Sequence, residues 1–127
     1  MTFMPRPGSW FSVFRNTEIE IHLAGDDSGP FDVNVEMAKA CEVRLEDLLS
    51  QGLEYISRFM ESKGVSGDPE IVAIDFGLSN YGQHNEFEIC FSDAATYVLW
   101  TVRFSYRRDH TTGTVIMGPV GFARRDW

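Results

Sequence analysis

Apolar and polar residues alternate with a period of two at both ends of this chain, and with a period near 3.6 in the middle. Phe11 and Val13, then Ile19, Ile21 and Leu23, are separated by polar positions, with Arg15-Asn16 where a tight reversal belongs; this pattern predicts an opening hairpin. Ala24 to Pro30 combines two glycines, a proline and two aspartates and reads as a loop. From Val33 to Lys63 the spacing becomes helical. Ala38, Cys41, Leu45, Leu48, Leu49, Leu53, Ile56, Phe59 and Met60 fall on one stripe, with Asp32 or Asn34 as N-cap and Gly64 at the C′ position. Glu36 with Lys39, and Glu54 with Arg58, are spaced to pair on the opposite face. A break is expected near Glu42-Val43, and Val33 to Val43 fits either helix or strand.

Beyond the Gly67-Asp68-Pro69 turn, Val72, Ile74 and Phe76 mark a third strand, and Phe87, Ile89 and Phe91 a fourth. Val98, Trp100, Val102, Phe104 and Tyr106 form the longest alternation, expected of a central strand. A last strand starts at Thr114 to Met117, and Gly118-Pro119 marks an edge or a bulge. The predicted fold class is α+β, a single domain over 1–127. It is an antiparallel sheet of about five or six strands, order ββαββββ, with one face covered by a long amphipathic helix.

Helical cover on one face leaves the alternate strand residues on the other. These are Glu18, Glu20 and His22 in the second strand, Glu86 and Glu88 in the fourth, and Thr101, Arg103 and Ser105 in the fifth. Arg103 is expected to pair across to Glu86 or Glu88. Trp10, Phe14, Tyr97 and Leu99 share that parity and are expected beside the carboxylates.

Charge sharpens this picture. The chain carries a formal net charge of −8. Before Ala94 there are 17 Asp/Glu against 6 Lys/Arg; from Ala94 onward there are 2 against 5. An acidic surface repels a phosphate backbone, so nucleic acid is not an expected partner, whereas a basic protein is electrostatically favoured. No apolar run reaches the roughly 18–20 residues of a membrane span, and the first ten residues lack a continuous apolar segment. A cytoplasmic protein that engages no membrane is expected. Cys41 and Cys90 are read as separate reduced thiols.

Candidate chemistry is sparse. Asp26-Asp27 and the two Glu pairs are the carboxylates that could act as acid and base, but they occupy positions that solvate turns and strand faces. His22, His84 and His110 lack metal-ligand spacing, and Gly77 to Gly82 lacks the lysine of a phosphate loop, so no metal or cofactor is expected. The whole loop, read as Gly77 to Asn85, offers Asn80, Tyr81, His84 and Asn85 as contacts for a partner. Arg107-Arg108 and Arg124-Arg125 are expected to pair with the protein's own acids or to lie at a homodimer contact.

The Tyr97 to Trp127 stretch has a long aromatic strand, Val98-Leu99-Trp100-Thr101-Val102-Arg103-Phe104, a polar hairpin, a Gly-Pro-Val-Gly-Phe element and an Arg-Arg-Asp-Trp end. It resembles small acidic bacterial proteins of uncharacterised function, some of them grouped with the immunity proteins of polymorphic toxin systems. The resemblance covers about a quarter of the chain and carries over no site residue. It implies a non-enzymatic protein-binding module that neutralises a basic toxin. The expected contacts are Glu18, Glu20, His22, Glu86, Glu88, Tyr81 and His84. The alternatives are a chaperone for a secreted protein and a small-ligand enzyme with a pocket between helix and sheet.

Overall fold

In the computed structural model, which describes residues 2–59, 70–77, 85–93 and 98–126, β1 (Met4–Arg6), β2 (Ser9–Val13) and β3 (Glu20–Leu23) open the chain as an antiparallel meander. The β2–β3 reversal falls at Arg15-Asn16. Asn16 takes a left-handed φ of 60°, a conformation its short polar side chain tolerates. Thr17 closes the turn by donating from both its N–H (3.1 Å) and its hydroxyl (2.8 Å) to the Phe14 carbonyl.

This turn sets a parity opposite to the expected one. Phe11 faces His22 and Val13 faces Glu20 in register, so these two apolar residues lie on the polar side of the sheet. Ser12 and Phe14 point inward instead, and Phe14 is 1% exposed. Trp10 also shares the inward parity, and its indole N–H donates to the Asp26 carbonyl (2.9 Å). The segment read as a loop contains a small ribbon, β4 (Gly25–Asp26) against β5 (Gly29–Pro30).

The helical pattern yields two helices, not one. α1 (Asp32–Val43) and α2 (Leu45–Phe59) meet at Arg44, whose φ of −121° and ψ of 25° break the helical run beside the expected Glu42-Val43 interruption. Its guanidinium donates to the Val115 carbonyl (3.0 Å), which ties the break to the sheet. The N-cap of α1 is Phe31, without a side-chain cap, so neither Asp32 nor Asn34 has that role. Asn34 is buried and donates from its amide to the Ala24 carbonyl (3.0 Å). Glu54 and Arg58 pair at 2.7 Å as expected, whereas Glu36 pairs with Arg108, across from the last hairpin, and not with Lys39. Met60, Lys63 and Gly64 lie outside the described residues.

The rest of the sheet is β6 (Glu70–Phe76), β7 (Glu86–Asp93), β8 (Val98–Arg108) and β9 (Val115–Asp126). The seven strands are ordered β1-β2-β3-β6-β7-β8-β9. This corrects the expected five or six strands in order ββαββββ. It also introduces one parallel pair, β3 with β6, in an otherwise antiparallel sheet. The two helices are the crossover that a parallel pair requires. β9 runs well past Met117, and its register with β8 shifts between Arg103 and Phe104, leaving Val120 as the extra residue after Gly118-Pro119.

One face of the sheet shares an apolar core with the helices. Ile21, Leu23, Ile74, Phe76, Phe87, Ile89, Phe91, Trp100, Val102 and Phe104 are buried together with Met37, Ala38 and Cys41 of α1 and Leu48 and Ile56 of α2. Phe76, Phe87 and Phe104 pack ring to ring across three strands, the first pair tilted with centroids 5.6 Å apart and the second stacked at 5.4 Å. Helix and sheet approach closely at Gly52, where an added Cβ would stand 2.5 Å from the Phe91 ring. Burial pushes the Cys41 thiol far above its ordinary value, in keeping with a space-filling role.

Candidate functional site

The face turned away from the helices is built by register. Each pair of facing residues points the same way, so a row crosses five strands in the order Phe11, His22, Asp75, Glu88, Arg103, followed by Gly121 on β9. A second row runs Val13, Glu20, Ala73, Cys90, Thr101 and Ala123. Glu86 stands beside Ser105 and Gly118. The polar face therefore combines a charged band with small side chains around it.

Contacts within the band partly neutralise it. Arg103 Nε lies 3.1 Å from Glu86 Oε2, with both side chains largely shielded, and this realises one of the two pairings expected from sequence. Gly121 makes room for the arginine, because a Cβ there would approach its guanidinium to 3.1 Å. His22 Nε2 lies 3.5 Å from Glu20 Oε2, its ring is 5.5 Å from that of Phe11, and Arg6 sits 4.6 Å above Phe11. Asp75 lies between His22 and Glu88 in register. Burial raises its carboxyl above the ordinary value; His22 lowers it and Glu88 raises it further.

Four of the expected residues, Glu20, His22, Glu86 and Glu88, thus share one face with Arg103. Glu18 precedes β3 and belongs to a different feature described below. Tyr81 and His84 lie outside the described residues. Phe14 and Trp10 do not join the carboxylates, whereas Leu99 keeps the expected parity. Asp75 was not among the expected contacts. Its parity opposite to Ile74 is the signal that places it there.

A cavity of about 650 Å³ opens where the sheet meets the start of α2. The β3–β6 ladder begins only at Glu20 facing Ala73, so the first residues of β6 run beyond it. A bulge between Ile71 and Ala73 turns Val72 outward, to 37% exposure, against the alternation that predicts it inside. Ile19, Leu45, Leu49, Ile71 and Val72 supply the apolar lining; Glu18, Glu20, Glu46 and Glu70 supply the carboxylates. Glu46 and Glu70 are residues that sequence reasoning missed, because the parallel seam that brings their segments together has no local signature.

Among the described residues, no group of three or more His, Cys, Asp or Glu side chains is arranged to hold a metal ion, and no helix is long and apolar enough to cross a membrane. Comparison with known proteins gives no matching family, no matching curated protein and no matching solved structure.

Proposed function

We propose that this protein is a non-enzymatic protein-binding module, a cytoplasmic immunity protein that neutralises a basic toxin through the polar face of its sheet. The observation that supports this reading is the band His22, Asp75, Glu88 and Arg103 with Glu20 and Glu86 beside it, set among the small residues Ala73, Cys90, Thr101 and Gly121. Small side chains let a partner approach the strands closely, and carboxylates supply complementarity to a basic surface. Phe11, in contact with Arg6 and tilted against His22, gives an aromatic anchor at one end of the band. Two copies would oppose like-charged faces, so the reading assigns the surface to a different chain.

The test is co-expression with a basic toxin encoded beside this protein's gene, followed by measured affinity for Glu20→Gln, Asp75→Asn and Glu88→Gln singly and combined. The combined variant is expected to bind at least about tenfold more weakly, mainly through slower association at low salt. Unchanged affinity in the combined variant defeats the acidic-face mechanism. Glu86 is kept out of the set because its contact with Arg103 makes its removal a structural change as well.

A further inference from the structure

The cavity at the start of α2 has a chemistry of its own. Its carboxylates come from three separate segments: Glu18 and Glu20 at β3, Glu46 in the first turn of α2, and Glu70 at the head of β6. No Lys or Arg is among the described lining residues. Among the described residues, His22 lies 3.5 Å from Glu20 at this rim. The positive end of the α2 dipole offsets part of the Glu46 charge, but that effect is confined to the first turn and is worth less than one full charge.

The rest of the lining is apolar and branched, from Ile19, Leu45, Leu49, Ile71 and the outward-turned Val72. A volume of about 650 Å³ falls within the range of small-molecule sites, roughly 300–1,000 Å³. The shape has a backbone cause, because β3 and β6 part company beyond Glu20 and Ala73 and the Val72 bulge bends the free end. An apolar lining with an anionic rim favours a cationic amphiphile: an anion meets four carboxylates, and a neutral apolar ligand gains nothing from them.

We propose that this cavity binds a small aliphatic ammonium ion, its hydrocarbon part against Ile19, Leu49 and Ile71 and its cationic nitrogen between Glu46 and Glu70. The assignment does not depend on the protein-binding reading. Glu46 lies on α2, off the sheet altogether, and Glu70 at the head of β6 lies beyond the charged band. A second copy of the chain fits poorly as occupant, since it would bring an acidic surface to an acidic rim.

The experiment is a titration of the 127-residue chain, followed by backbone amide NMR, with n-hexylammonium, 1-hexanol and hexanoate as probes up to about 20 mM, which covers weak millimolar affinities. Expected is saturable displacement of the Ile19, Leu45, Glu46, Leu49 and Ile71 signals by hexylammonium, with no saturation by hexanoate. Glu46→Gln with Glu70→Gln is expected to weaken hexylammonium by about threefold or more, as for partly exposed ion pairs, while leaving toxin capture unchanged. Equal binding of 1-hexanol and hexylammonium overturns the proposal by showing an apolar groove without charge selection. Binding that survives the double variant, shifts confined to other residues, or no saturation by hexylammonium overturns it equally. Loss of toxin capture in the Glu20, Asp75 and Glu88 variants bears only on the other reading.

Discussion

Asp75 shows how a single side chain can be placed correctly by parity and still have properties that only the fold determines. Its position opposite to Ile74 follows from alternation. Its raised carboxyl does not, because the burial responsible comes from β3 and β7 on either side, which bring His22 and Glu88 to it. A folded-state value above 3.8 means that, between the two values, the native protein holds a proton that the unfolded chain releases. Stability attributable to this group therefore falls as pH rises through that window and stays reduced at neutral pH. Asp75→Asn is expected to raise the unfolding midpoint at pH 7 by roughly a few degrees, with the advantage shrinking as pH approaches 3.8. Thermal unfolding of both proteins from pH 3.5 to about 8 checks the sign, and a variant less stable at pH 7 contradicts it.

Among the elements, those with their large apolar residues mostly on one parity were the legible ones. Phe87, Ile89 and Phe91 in β7, and Trp100, Val102 and Phe104 in β8, are all buried as the alternation predicts. β2 and the residue after it have large apolar residues of both parities, Trp10, Phe11, Val13 and Phe14, so composition alone does not choose a side. The choice is made by the Phe14–Thr17 turn and the pairing it imposes on β3. Val72 failed for a different reason, since one extra residue in a strand reverses everything before it. The long helix was legible as an amphipathic stripe, but its division at Arg44 depends partly on a contact with Val115, far along the chain. Its start is locally unusual as well. Phe31 occupies the N-cap with 48% exposure and no side-chain bond to the free N–H groups of the first turn. Phe31→Ser supplies that acceptor but gives up the buried half of the ring, a loss of the same order as the roughly 1 kcal/mol gained from the cap, so urea unfolding is expected to show no net stabilisation.

At the scale of the whole molecule, the acidic character read from composition separates into two places. One is the sheet band, where Arg103 and His22 moderate the carboxylates; the other is the cavity, which four glutamates line. Alternation located the first, through Glu20, His22, Glu86 and Glu88. The second required the parallel seam, which joins Glu20–Leu23 to Ala73–Phe76 across the two helices and could not be inferred from either segment alone. That seam also bears on how the chain assembles. β6 to β9 form a meander of sequence neighbours, so their contacts close short loops, whereas β3 must find β6 over a long intervening segment at a larger entropic cost. The meander should be organised in the folding transition state before the seam is. Val102→Ala is then expected to slow refolding, while Ile21→Val chiefly accelerates unfolding, both readable from chevron plots. A rate-limiting step that felt Ile21 as strongly as Val102 would reverse the order. With this order, the cavity and the N-terminal half of the charged band come into being only at the last step. Partial opening of the seam dismantles them first, while the packed Phe76, Phe87 and Phe104 still hold the meander together.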